Sequence, residues 1–153
     1  MIKILFVCHG NICRSPAAEY IMRQMVKKSY MDDVIEVDSA ATSMEEIGNP
    51  IYPPMARVLE DRGINPSGHA ARRVRPEDYE KYDYIIGMDA ENKSNLLRMF
   101  SGDPDGKISL LMNSADEERD ISDPWYTRDF EAAFDDIEEG CRCLFKYLKA
   151  SVS

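Results

Sequence analysis

The chain has 153 residues, 44% of them hydrophobic and 31% charged, with a formal net charge of −9. That length suits one domain with a proper core, and that charge argues against broad nucleic-acid binding, which needs clustered Lys and Arg; any anion site must be local. No stretch approaches the roughly 18 apolar residues of a membrane span, and the short apolar start lacks a following small-residue cleavage site. Without a secretory signal, Cys8, Cys13, Cys141 and Cys143 are expected to be thiols in a reducing cytoplasm.

Taken in order, residues 2–8 (IKILFVC) read as a buried strand. A turn over 9–14 follows, then a helix over 16–30 with Ser15 as its N-cap and Pro16 in its first position. A second strand is expected over 34–40 and a helix over 53–62 that stops at Gly63. A third strand (83–89), a third helix (91–100) and a fourth strand (107–112) come next. An acidic loop spans 113–129. The last helix, about 129–149, carries Phe130, Phe134, Ile137, Cys141, Leu144, Phe145 and Leu148 along one face. Strands separated by helices predict a single-domain α/β fold over 1–153, with a four-stranded parallel sheet covered by helices on both faces. Ligands of such sheets bind beyond the carboxyl ends of the strands, where Cys8 stands.

The stretch FVCHGNICRSP, residues 6–16, raises the functional question. A thiol there is structural, redox-active, a metal ligand or a nucleophile. Gly10 and Asn11 tolerate left-handed backbone angles. A tight turn into a helix start aims several unpaired N–H groups at one point, which makes an anion cradle after the first strand. His9, Gly10, Asn11, Ile12, Cys13 and Ser15 supply that phosphate-binding loop. Arg14 adds a planar fork of donors suited to phosphate oxygens. The same positive field favours the thiolate of Cys8 at the base of the cradle, placed to attack phosphorus in line. A phosphomonoester also needs a proton for its leaving group. DISDPWYTRD, residues 120–129, offers Asp123 as that acid, stiffened by Pro124, with Trp125 and Tyr126 beside it to flank an aryl phosphate. A metal site from Cys8, His9, Cys13 and His69 fails on spacing, because Arg14 would sit among the ligands. No metal or cofactor is expected.

VCHGNICRSPAAE, VDSAATS, NPSGHAARR, YDYIIGMD and DPWY, in that order along nearly the whole chain, resemble the low-molecular-weight protein tyrosine phosphatases. The resemblance implies phosphotyrosine proteins or small aryl phosphates as substrates, inorganic phosphate as product and a cysteinyl-phosphate intermediate. It implies Cys8 as nucleophile, Arg14 as phosphate clamp, and Asp123 as acid and then base. It further implies that Ser15 hydrogen-bonds the thiolate, that Asn11 shapes the loop, and that Ser39 and His69 hold Asn11 from behind. Two departures stand out. Many relatives carry an aromatic wall residue after ATS, where this chain reads Met44-Glu45-Glu46. Relatives acting on phosphoarginine carry threonine at the position of Ile12, so Ile12 favours phosphotyrosine.

Rival readings fit less well. A thiol-based arsenate reductase needs relay cysteines, and none lies between Cys13 and Cys141. A phosphocysteine carrier or an idle phosphate-binding module leaves Arg14 and Asp123 without a task. The curl of the loop is expected to bring Cys8 and Cys13 toward disulfide range, so that Cys13 protects an oxidised Cys8.

Overall fold

Residues 1–152 are described by a computed structural model. The middle strand explains the architecture. In β1 (Ile2–Cys8), Ile4 through Val7 are fully buried. Such a run belongs inside a parallel sheet covered on both sides. β2 (Ile35–Ala41) pairs with one edge of β1, and β3 (Tyr84–Gly87) with the other. β4 (Ile108–Leu110) lies beyond β3, so the parallel order is β2-β1-β3-β4.

Alternation along β1 feeds two cores. Ile4, Phe6 and Cys8 join the larger one, with α1 (Arg14–Lys28), α2 (Pro53–Asp61) and α6 (Phe130–Val152). Leu5 and Val7 point the other way, toward Tyr79 of α3 (Asp78–Lys81) and Leu96 of α4 (Ala90–Met99). The apolar stripe of α6 does what its spacing predicts: Phe134, Ile137, Cys141, Leu144, Phe145 and Leu148 are buried, and Phe130 is half-buried at the helix start.

The boundaries differ in instructive places. β4 is shorter than its apolar run, because Leu111 and Met112 turn into a 3-10 segment, Leu111–Ala115, and are buried there. α6 packs closely on that turn. A Cβ added to Gly140 would stand 2.6 Å from Leu111 Cγ, so only glycine admits this approach. The turn leads into residues 116–123, so α6 helps to set where that loop begins. α3 and α5 (Pro124–Thr127), four residues each, are too short to show a period. α1 begins at Arg14, not at Pro16, with Cys13 in the cap position and no side-chain cap; Ser15 is a first-turn residue whose hydroxyl is engaged elsewhere. No helix among the described residues is long and apolar enough to cross a membrane.

Candidate active site

Between the end of β1 and the first turn of α1 the chain curls around the Cys8 sulfur. Asn11 N–H donates to Cys8 Sγ at 3.3 Å, and Ser15 Oγ lies 3.0 Å from it. Asn11 makes the curl possible by adopting φ 59°, a left-handed conformation that Asn tolerates better than most residues. Its side chain is held on every polar atom. Nδ2 donates to Ser15 Oγ (2.8 Å) and Ser39 Oγ (2.9 Å), and Oδ1 accepts from Arg72 N–H at 3.1 Å. Because Ser15 Oγ accepts from Asn11, its own hydrogen is free to point at the sulfur.

The network continues into the core. Ser39 donates to Glu19 Oε1 at 2.5 Å, and Arg23 Nη1 lies 2.6 Å from Glu19 Oε2. Burial pushes the Glu19 carboxyl above the ordinary range, against the pull of Ser39 and Arg23. His69 Nε2 stands 2.6 Å from the Asn11 carbonyl oxygen. A carbonyl only accepts, so Nε2 carries the proton. Burial lowers the His69 pKa, with the Asn11 contact opposing, which favours a neutral ring.

Arg14 is 2% exposed and its guanidinium is aimed from behind. Nη1 donates to Asp89 Oδ2 and to Ile121 O, each at 2.8 Å, while Nη2 lies 3.4 Å from Asp123 Oδ2. Asp89 divides its two oxygens: Oδ1 caps α4 by accepting from Asn92 N–H at 2.8 Å, and Oδ2 holds Arg14. Burial works against the charge on Arg14, but Cys8, Asp89 and Asp123 outweigh it and raise its proton affinity. A planar fork fixed at its rear presents its remaining donors in one direction.

The three acids of the 120–129 stretch have different neighbours. Asp120 accepts from Ala90 N–H at 2.9 Å and Asp129 from Ala132 N–H at 2.9 Å, so each serves a helix start. Asp123 caps the short α5 through Oδ1, accepting from Trp125 N–H at 3.0 Å, and its Oδ2 faces Arg14. Only Asp123 of the three lines the pocket.

That pocket has a volume of about 410 Å³. Of the residues singled out in the sequence, Cys8, His9, Gly10, Ile12, Cys13, Arg14, Asp123, Trp125 and Tyr126 line it. Asn11 and Ser15 are instead fully buried behind the loop. They act on Cys8 and on the loop's shape, not as part of the pocket wall. Ser39 and His69 sit a further layer back, on Asn11. Sequence reasoning missed Tyr52, Asp89, Glu91, Asn92 and Phe130, which complete the lining with Glu45 and Glu46. The position of Asp89 just past a strand's carboxyl end was a usable signal; Tyr52 gave none. Glu45 does not wall the pocket with an apolar face: it is exposed and lies 3.1 Å from His9 Nε2. Cys13 is half-buried, and burial together with the neighbouring Cys8 charge pushes its thiol well above the ordinary value.

The family model for low molecular weight phosphotyrosine protein phosphatases matches residues 3–153. The chain belongs to this family. It is 40% identical over 146 residues to the low molecular weight protein-tyrosine-phosphatase YfkJ of Bacillus subtilis, covering 94% of each chain. It is 38% identical over 149 residues to the human low molecular weight phosphotyrosine protein phosphatase, again with 94% of each covered. The crystal structure of YfkJ superposes with a TM-score of 0.96, covering 100% of this chain and 98% of that one. The fold also accommodates a Drosophila arginine phosphatase, DARP, at a TM-score of 0.88 and 31% identity, covering 97% of this chain and 98% of that one. The four-stranded parallel α/β fold is therefore that of the family.

Proposed function

We propose that residues 1–153 act as one phosphatase domain that hydrolyses protein phosphotyrosine and small aryl phosphates through a cysteinyl-phosphate intermediate. The phosphoryl group binds in the loop from Cys8 to Arg14. The Cys8 sulfur attacks phosphorus and the ester P–O bond breaks, while Asp123 gives its proton to the departing phenoxide. Water then attacks the thiophosphoryl group, Asp123 accepts a proton from it, and inorganic phosphate leaves as the S–P bond opens. Arg14 stabilises the charge that spreads over the equatorial oxygens in both steps.

The observation that supports this reading best is the convergence of Cys8, Arg14 and Asp123 on one pocket, with Arg14 Nη2 3.4 Å from Asp123 Oδ2. Ile12 and the aromatic side chains lining the pocket favour an aryl leaving group over a guanidinium. The free cysteines fit a reducing cytoplasm. A peroxide oxidises the Cys8 thiolate to a sulfenic acid and is itself reduced to water or an alcohol; the Cys13 thiol then condenses with the sulfenic acid to give a disulfide and water.

The test is a substrate panel of phosphotyrosine, phosphoserine and phosphoarginine peptides against wild type and Cys8→Ser. Phosphotyrosine is expected to turn over fastest, and Cys8→Ser to lose turnover while still binding vanadate. Faster cleavage of phosphoarginine, or near wild-type turnover by Cys8→Ser, contradicts the proposal.

A further inference from the structure

The pocket has a chemically mixed lining. Glu45, Glu46 and Glu91 stand on its lining as carboxylates, and Ile12, Tyr52 and Trp125 as apolar surface. Among the aromatic residues, Trp125 and Tyr126 belong to the loop around a four-residue helix and are 49% and 82% exposed. Tyr52 is held differently.

Its backbone N–H donates to Ile12 O at 2.7 Å, tying it to the phosphate loop. Its carbonyl accepts from Ala56 N–H at 3.0 Å as α2 begins. Pro53 follows, and a residue before proline is restricted to extended angles; Tyr52 has φ −55° and ψ 130°. The ring packs tilted on Trp125 (centroids 5.3 Å apart, planes at 53°) and on Phe130 (5.9 Å, 36°). Backbone and ring are thus fixed independently, and the half-buried side chain still faces the pocket.

We infer that Tyr52 is the specificity-determining wall on which the aryl group of the substrate lies, an inference that rests on the phosphatase reading above. An aromatic leaving group above Cys8 enters a pocket whose apolar lining includes Tyr52. Ring pairs favour offset or edge-on contacts at 4.5–7 Å, the range in which Tyr52 already holds its two neighbours. The link to Ile12 O makes the distance between phosphate loop and wall a constant of the fold. Tyr52 therefore selects esters whose ring begins directly at the phosphate oxygen.

Calorimetric titration of wild type, Tyr52→Phe and Tyr52→Ala with inorganic phosphate and with phenylphosphonate tests this. Phosphate senses the loop alone; phenylphosphonate senses loop and wall. Tyr52→Ala is expected to weaken phenylphosphonate about three- to tenfold, the size of one aromatic contact, with phosphate affinity within about twofold of wild type. Tyr52→Phe is expected to keep both affinities. Tyr52→Leu restores apolar bulk without a π-face should the alanine variant not fold, and is expected to weaken phenylphosphonate selectively as well. Equal weakening of both ligands would make Tyr52 a prop for the loop and overturn the inference. So would unchanged affinities with a loss confined to turnover, which would make it a support for Asp123 alone. Failure of the wild-type protein to bind phosphate at all would overturn the phosphatase reading and this inference with it.

Discussion

The two loops that build the site are stabilised in opposite ways. The loop from Cys8 to Ser15 is short in sequence and buried at Asn11, Arg14 and Ser15, and its hydrogen bonds form a closed network around the sulfur. The loop from Asp116 to Asp129 is largely exposed, and a few long-range contacts tie it down: Ile121 N–H to Met88 O at 2.9 Å, Arg14 to Ile121 O, and Asp120 to Ala90 N–H. In the proposed mechanism Cys8 and the loop around it need sub-ångström order, since a misplaced donor forfeits transition-state stabilisation. In that mechanism Asp123, which lines the pocket, must reach leaving groups of different sizes. Arg14 belongs to both regions, bonding the second loop's backbone and facing its carboxylate.

The sharpest way to break this division is at Arg14. Arg14→Lys keeps the charge but loses the fork that spans Asp89, Ile121 and the pocket. kcat is expected to fall roughly 10²-fold or more, because the lost contacts matter most in the transition state. Steady-state kinetics within about threefold of wild type would show that the two regions do not depend on a shared guanidinium.

Oxidation probes the buried loop alone. After a peroxide pulse followed by dithiothreitol, wild type is expected to regain most of its activity and Cys13→Ser much less. Equal recovery, or a peptide map without a Cys8–Cys13 link, would leave Cys13 as packing.

The smallest effect concerns stability. The His69 pKa is lowered by burial, so the unfolded chain binds its proton more readily than the folded one. The contribution of neutral His69 is thus present above its ordinary pKa of about 6.5 and fades as pH falls below that and through the folded value. His69→Gln is expected to cost about 1 kcal/mol at pH 8 and less at pH 5. Thermal melts across that range check it; a difference that grows on acidification contradicts the assignment.

What the sequence made legible follows the same contrast. The phosphate loop could be read because its signals are adjacent: a strand end, Gly10-Asn11, Arg14 and a helix start within eight residues. The α6 stripe and the buried β1 run were legible because periodicity is local. Ser15 misled as a helix cap because its hydroxyl serves Cys8, a tertiary use that overrides local propensity. Asp123 could be singled out beside Pro124, but its difference from Asp120 and Asp129 lies in contacts thirty or more residues away for Asp120 and at the next helix start for Asp129. Tyr52 was invisible because its role depends on Ile12, Trp125 and Phe130, brought together only by the fold.

The claim that these loops are two halves of one reaction is tested most directly by the leaving-group dependence of Asp123→Asn. With aryl phosphates graded from nitrophenol to phenol, whose parent hydroxyl resembles tyrosine at a pKa of about 10, the variant is expected to lose most on the poorest leaving group and least on the nitrophenyl ester. A plot of log kcat/KM against leaving-group pKa should therefore be steeper for the variant than for wild type. Parallel plots, with every substrate slowed equally, would mean that Asp123 only shapes its loop and that the proton comes from elsewhere.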